Sequence, residues 1–344
     1  MPRPIDIALV SLGTTPGLRR SDEAFAGLVR AAGATCQVVP VRVGAARPLR
    51  RNAPTTDLVE ALAARRAARG VEARAMVFST ITAALFQRPS VPFGIRFDAT
   101  AALNRPGPGG AWQRVRERRV LERADLLMPV SRGAADAAEA LGRTLVRVPI
   151  PVEPIEPAPV RDVDAVAYSG GQRKRGLDTI CAAWAEAARP GARLVIGGGS
   201  PERGRRLLRE AGVPEPPGVE WAGELERAGW LDLVRRARVF LNGSTWEDFG
   251  IAAMEALSAG TPLATVPTPG SFEALPLARE LAPELVAGDV SAPALADALR
   301  AALALDDGAR ARYRERALEL LRPYRADAVG RVVSERVLPA LGVA

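Results

Sequence analysis

The stretch that most constrains this chain runs from Ala237 to Pro262. Ala237–Leu241 is an apolar run of strand length, closed by the turn residues Asn242-Gly243-Ser244. Thr245-Trp246-Glu247-Asp248-Phe249-Gly250 follows, and from Ile251 the residues are strong helix formers up to Gly260, with Pro262 just beyond. The pattern is strand, short turn, helix, with one glutamate ahead of the helix and a second inside it. Glu247 and Glu255 have seven residues between them. At roughly 100° per residue, eight steps end about 80° past two full turns, so both carboxylates reach one side. A helix N-terminus attracts phosphate through its free N–H groups and its dipole. Carboxylates beside it repel phosphate and accept hydrogen bonds from hydroxyl groups instead. A phosphate flanked by hydroxyls describes a sugar nucleotide.

A second glycine-bounded turn complements the first. Ala165–Ser169 reads as a strand, and Gly170-Gly171-Gln172-Arg173-Lys174-Arg175-Gly176 leads into a helix over Leu177–Ala187. Three consecutive cations between glycines suit a diphosphate: glycine lets the backbone approach, and the cations neutralise a leaving group.

The first half of the chain has the same grammar. Ile5–Leu12 is a strand pattern, Gly13–Leu18 a turn-rich loop, Ser21–Ala32 a helix with Ser21 as its N-cap, and Thr35–Val43 the next strand. The loop lacks a proper G-x-G-x-x-G, so a dinucleotide cofactor is not expected. Residues 47–56 read as a polar, basic loop, and 58–70 as a helix carrying Arg65, Arg66 and Arg69. Strands at 75–79 and 92–97 follow, the latter delivering Arg96 and Asp98 at its C-terminal end, where open α/β sheets gather ligand groups. Residues 104–110 form a turn cluster, a candidate acceptor loop. The helix at 112–124 carries Arg114, Arg116, Arg118, Arg119 and Arg123, with Trp112 near its start, a pattern suited to an anionic bilayer surface. A strand at 126–130, a helix from 133 capped by Ser131 and a last strand at 145–149 complete this half. Five prolines between 149 and 164 mark a semi-rigid linker.

Glu247, Glu255, the Phe249-Gly250 between them, and Ala259-Gly260-Thr261-Pro262 together resemble the signature of family 4 retaining glycosyltransferases. The cationic turn before Gly176-Leu177-Asp178 and the Pro129-Val130-Ser131 junction resemble the same family. The resemblance implies an α/β fold of the GT-B type, two Rossmann-like doubly wound domains facing across a cleft. It divides the chain into an acceptor-side domain at 1–150 with a returning C-terminal helix at 325–344, a linker at 151–164, and a donor domain at 165–324. It implies transfer of a sugar from a nucleoside-diphosphate sugar to an acceptor hydroxyl, with retention and without a metal or other cofactor. Arg173, Lys174 and Arg175 would carry the leaving diphosphate, helped by the N–H groups of Phe249, Gly250 and Ile251. Glu247 would orient donor-sugar hydroxyls and Glu255 the ribose. Gly13 lies in the loop that such enzymes place near donor and acceptor, and Gly223 and Glu224 in the segment that reads the base. Family members often place a histidine after the strand that here ends Arg96-Phe97-Asp98; Asp98 or Arg96 stands in its place.

Composition excludes much else. The 344 residues contain no histidine, which removes Ser-His-Asp, Cys-His and His-based metal sites. The two cysteines, Cys36 and Cys181, read as separate buried thiols rather than a disulfide. No apolar run reaches the length of a transmembrane helix, and Met1–Pro4 leave no room for a signal peptide, so the cytoplasm is the expected location. Residues 1–155 hold 23 basic and 13 acidic side chains, and 156–344 hold 24 and 26, so the net +8 resides in the first half. The partners this suggests are a small-molecule, lipid or glycan acceptor and an anionic membrane surface; nucleic acid is not expected. Two rival readings are a nicotinamide-dependent oxidoreductase and a non-catalytic binder of anionic polymer or membrane. The glycine loops at 13–17 and 197–199 do not supply the first with a fingerprint. An aromatic content of 5% is poor for the second, which leaves Glu247 and Glu255 unexplained.

Overall fold

Ten parallel strands form two separate sheets in the computed structural model, which describes residues 5–50 and 52–343, apart from the side chains of residues 45, 47 and 53. The first four residues, on which the reading of the N-terminus rests, lie outside the described residues. The first sheet holds β1 (Ile5–Ser11), β2 (Cys36–Pro40), β3 (Ala73–Phe78), β4 (Phe93–Phe97) and β5 (Leu126–Pro129), in the order β2-β1-β3-β4-β5. The second holds β6 (Val163–Tyr168), β7 (Leu194–Gly197), β8 (Val219–Gly223), β9 (Ala237–Asn242) and β10 (Leu263–Thr265), in the order β10-β9-β6-β7-β8. The chain divides into two compact units: residues up to Pro151 together with Tyr324 onward, and Val152–Pro323.

Both faces of each sheet are covered, and the side-chain period of two sorts the first sheet's residues between two cores. Ala8 and Val10 of β1 pack on one side with Phe78, Ile95 and Leu127. Ile7 and Leu9 pack on the other with Phe25, Val77, Leu126 and Met128. That second face is closed by the C-terminal tail through Val329, Val333, Val337, Leu338 and Leu341. Four residues advance an α-helix by about 400°, so valines spaced by four drift about 40° per step. The tail runs as an α-helix over Ala326–Val332 and then as a wider π-helical turn over Val333–Val337, which offsets that drift.

Local signals were displaced in three places. The first helix spans Pro16–Ala31, with Thr15 as N-cap accepting from the Leu18 N–H and Pro16 at N1. Ser21 is therefore inside the helix and buried, not its cap. The stretch expected as a loop at 47–56 holds a 3₁₀ turn (Gly44–Leu49) and the start of a helix (Ala53–Ala68), opened by an Asn52–Thr55 capping box; Arg51 lies outside the described residues. Residues 145–149 add only an isolated bridge between Leu145 and Leu127, too little pairing for a sixth strand. The proline-rich segment after Pro151 lies along the second unit, with Ile155 N–H on the Ser258 carbonyl and Ala158 N–H on that of Arg235. Cys36 and Cys181 are free thiols, and burial pushes Cys181 up to about 12.

Each sheet has one point where the strand order reverses: between β1 and β3 in the first, and between β6 and β9 in the second. The loops after such a pair leave in opposite directions and open a crevice at the C-terminal sheet edge. Val333 is fully buried. Val333→Ala should therefore cost the first unit about 2 kcal/mol, measured by denaturant unfolding.

Candidate active site

The loops that leave the second unit's reversal point are the two that the sequence singled out. After β6, Gly170 and Gly171 take positive φ (+53° and +61°), a 3₁₀ turn covers Arg173–Arg175, and Gly176 (φ +59°) opens the helix Leu177–Ala187. After β9, residues 243–250 lead to the helix Ile251–Ser258. The loops meet backbone to backbone. A Cβ on Gly176 would sit 1.7 Å from the Gly243 carbonyl oxygen, and Thr245 N–H donates to the Lys174 carbonyl at 2.9 Å.

The 3₁₀ turn decides where the three cations go. At three residues per turn, consecutive side chains point about 120° apart. Arg173 turns outward to Glu210 on the helix Pro201–Ala211 and is 69% exposed. Lys174 reaches Asp248 at 3.5 Å, and Arg175 pairs with Glu247. The structure thus brings two of the three cations to the 245–250 loop. Burial pulls the Arg175 guanidinium below the usual arginine value, opposed by Tyr168 and Asp248.

Glu247 and Glu255 are both buried. Glu247 is held by its own N–H on the Pro269 carbonyl (3.1 Å), and its Oε1 accepts from the Asp248 N–H (3.2 Å). Glu255 accepts from Trp230 Nε1 at 2.9 Å and from Arg227 Nη1 at 3.2 Å. The two carboxylates are linked through the side chains between them. Arg175 lies 5.6 Å over the Tyr168 ring, Tyr168 meets Trp230 edge to face at 5.2 Å, and Trp230 bonds Glu255. Gly250 (φ +79°) starts the helix without a side-chain cap bond, so that terminus offers backbone N–H groups beside Glu247. A Cβ there would strike the Phe272 ring at 2.4 Å and meet Glu247 Cγ at 3.3 Å. Phe249 is buried and Ile251 half-buried at this corner.

The remaining candidates lie elsewhere. Gly223 (φ +70°) ends β8 with its carbonyl accepting from Gly198 N–H, and Glu224 beyond it is exposed. Gly13 (φ +51°) and Asp98 belong to the first unit, in the loops that leave β1 and β4. The Gly13 carbonyl accepts from Arg19 at 2.8 Å. Arg96 does not stand open in place of a histidine. Its side chain is 2% exposed, pairs with Asp22 at 3.3 Å, donates to Ser21 Oγ at 3.0 Å and lies over the Phe25 ring at 4.6 Å. An arginine buried so completely must be paired inside, and Asp22, itself bonded to Ser11 Oγ, does this.

Tyr168, Arg227 and Trp230 were not foreseen. Tyr168 had a usable signal, since it ends β6, where ligand groups gather. Arg227 and Trp230 sit on a helix (Arg227–Arg236) whose approach to Glu255 no local pattern encodes.

Residues 164–304 match the model of the glycosyl transferases group 1 family, a span that contains every element of this site. No curated protein matches the sequence. Among solved structures, sucrose-phosphate synthase from Thermosynechococcus elongatus is similar at 19% identity, over 99% of this chain and 100% of that one, with a TM-score of 0.72. Anabaena HepE, solved with UDP and glucose, is similar at 14% identity over 97% and 99%, with a TM-score of 0.68. WaaG, a glycosyltransferase involved in lipopolysaccharide biosynthesis, is similar at 15% identity over 96% and 99%, with a TM-score of 0.66. The fold is therefore that of the GT-B class, α/β with two parallel five-stranded sheets.

The loop junction gives a direct test. Gly176→Ala should cost about 3 kcal/mol or more, because positive φ and a carbonyl overlap combine. Gly212→Ala, at φ +70° with no atom within 4 Å, should cost only about 1 kcal/mol. Denaturant unfolding of both variants checks the difference.

Proposed function

We propose that this protein is a glycosyltransferase that moves a sugar from a nucleoside-diphosphate sugar to an acceptor hydroxyl. The observation that carries this reading is the convergence of Lys174, Arg175, Glu247 and an uncapped helix N-terminus at one strand-order reversal. The group 1 family match over the same unit supports it, as does the likeness to HepE, which was solved with UDP and glucose.

In this reading Lys174 and Arg175 exchange their carboxylate partners for the diphosphate, and the N–H groups of Phe249, Gly250 and Ile251 close on it from the other side. Release of Arg175 frees Glu247 to accept hydroxyl bonds from the donor sugar. Glu255 accepts from the ribose. Arg173, turned to Glu210, supplies field rather than contact. Gly223 and Glu224 would border the base, and Gly13 and Asp98 would serve the acceptor. Transfer proceeds with retention and without a metal, the cations and N–H groups carrying the leaving charge. The leaving phosphate takes the acceptor proton on the same face, so no histidine is required.

A nucleoside diphosphate at about 100 times its Kd should raise stability by about 2.7 kcal/mol. Glu255→Ala should weaken binding roughly 10- to 100-fold, the loss of one or two hydrogen bonds to a charged group. Thermal shift against a panel of nucleoside diphosphates measures both. A flat panel would sink the reading.

The second partner we propose is an anionic bilayer surface, on the first unit. No helix among the described residues is long and apolar enough to cross a membrane, so contact would be peripheral. Three of the arginines that the sequence singled out on the helix Ala111–Leu121 are engaged by neighbours, while Arg119 is exposed. Arg114 bonds the Gly107 carbonyl, Arg116 covers the Phe86 ring and Arg118 pairs with Glu122. What supports the reading instead is an apolar groove of about 670 Å³ lined by Pro54, Leu58, Phe86, Trp112 and Val115. Leu58, Leu62 and Val115 are 41%, 50% and 52% exposed. Leu58 and Leu62 are one turn apart and continue into exposed Arg65, Arg66 and Arg69. Apolar insertion backed by arginines is the two-part signal that peripheral binding needs. This would place the protein at the cytoplasmic face of a membrane. Cosedimentation with vesicles containing acidic lipid, weakening with salt and about tenfold or more with Leu58→Glu/Leu62→Glu, is expected. Equal recovery with neutral vesicles would exclude the anionic surface.

A further inference from the structure

Both oxygens of Glu255 are engaged by one helix, and the two partners differ in kind. Trp230 is 7% exposed, and its indole is packed edge to face against Tyr168 (5.2 Å) and Phe240 (6.2 Å). Its Nε1–H donates to Glu255 Oε2 at 2.9 Å. Arg227, three residues earlier and so on the same helical face, donates to Oε1 at 3.2 Å, and its side chain is 51% exposed. The indole is neutral, caged by two rings and unable to withdraw without breaking the core. The guanidinium is half in solvent, so donors brought by a ligand can replace it on the carboxylate.

A carboxylate oxygen accepts about two hydrogen bonds, so the indole bond occupies part of Oε2 and leaves Oε1 for exchange. Glu255 also lies inside a helix with its side chain buried, where few rotamers are open to it. From this we infer that Trp230 is a positioning residue for ribose recognition: its N–H fixes the plane of the Glu255 carboxylate toward the two adjacent ribose hydroxyls. Arg227 is the counter-ion that those hydroxyls displace. The inference rests on the nucleotide-sugar reading and deepens it, because it names the residue that lets Glu255 tell a ribonucleoside diphosphate from its deoxy analogue. A hydroxyl-reading site rejects an analogue lacking the hydroxyl because its own polar group is left unpaired, and that rejection needs the acceptor held in place.

The experiment is calorimetric titration of a ribonucleoside diphosphate and its 2′-deoxy analogue into the native chain, Trp230→Phe and Arg227→Ala. The native protein should prefer the ribo form by about 10-fold or more, the worth of a hydrogen bond to a charged group. Trp230→Phe keeps a ring against Tyr168 and Phe240 but removes the donor, and the preference should fall below about 3-fold. Arg227→Ala should bind with the preference intact. The ratio is internal to each variant, so a general loss of stability does not mimic the effect. Should the phenylalanine variant not fold, the native indole serves: its N–H proton, one of five in the chain, should remain slow to exchange with and without nucleotide. A native chain that binds no nucleoside diphosphate defeats the transferase reading itself. Nucleotide binding without a ribose preference, or a preference that survives in Trp230→Phe, overturns the role of Trp230 and leaves the transferase reading standing. So does loss of the preference in Arg227→Ala, or an indole proton that exchanges as fast as an exposed one.

Discussion

The contact between Gly176 and the Gly243 carbonyl is the constraint on which the second unit's candidate site depends. Two loops leave neighbouring strands in opposite directions, and they can be brought together only if neither backbone carries a side chain between them. Once locked, the Lys174 carbonyl receives the Thr245 N–H, and the cationic turn faces the carboxylates two and three residues further on. The ion pairs in the site add little net stability to this arrangement. Surface pairs such as Arg173–Glu210 are worth at most about 1 kcal/mol. The steric lock comes first, and the electrostatics is built on it.

The site then faces the usual difficulty of buried charge. Glu247 and Glu255 are both withdrawn from water, and a carboxylate there needs a cation or several donors. The chain meets this from within: Arg175 serves Glu247, and Trp230 with Arg227 serves Glu255. Such pairing contributes little net stability, because desolvation offsets most of the attraction. It keeps the site assembled, with Arg175 on Glu247 and Lys174 on Asp248. The first unit shows the contrasting case. Arg96 and Asp22 are enclosed on all sides and joined to Ser11 and Ser21, so their pair ties strand to helix and is closed to exchange.

Much of this was legible in sequence, and the residues show why. The β9-turn-helix unit, the Gly170–Gly176 turn and the spacing of Glu247 and Glu255 are local patterns, and local physics produces them. Boundaries slipped where a stronger cap lay upstream, as with Thr15-Pro16 before Ser21 and the Asn52–Thr55 box before Leu58. The outward turn of Arg173 followed from a 3₁₀ geometry that three adjacent cations do not announce. Arg96 ended a strand at the expected edge, but its burial depended on Asp22, 74 residues away.

By itself the sequence determined the strand and helix units, their alternation into parallel sheets, and the two glycine-bounded loops that carry charge. These are consequences of apolar period, caps and backbone freedom, all of which act over a few residues. Only the tertiary structure decided which charges meet: Arg175 with Glu247, Lys174 with Asp248, and Glu255 with an indole 25 residues before it. Pairing of buried groups is set by the order of strands in the sheet and by the steric closeness of their loops. Neither quantity is written in any single stretch of the chain.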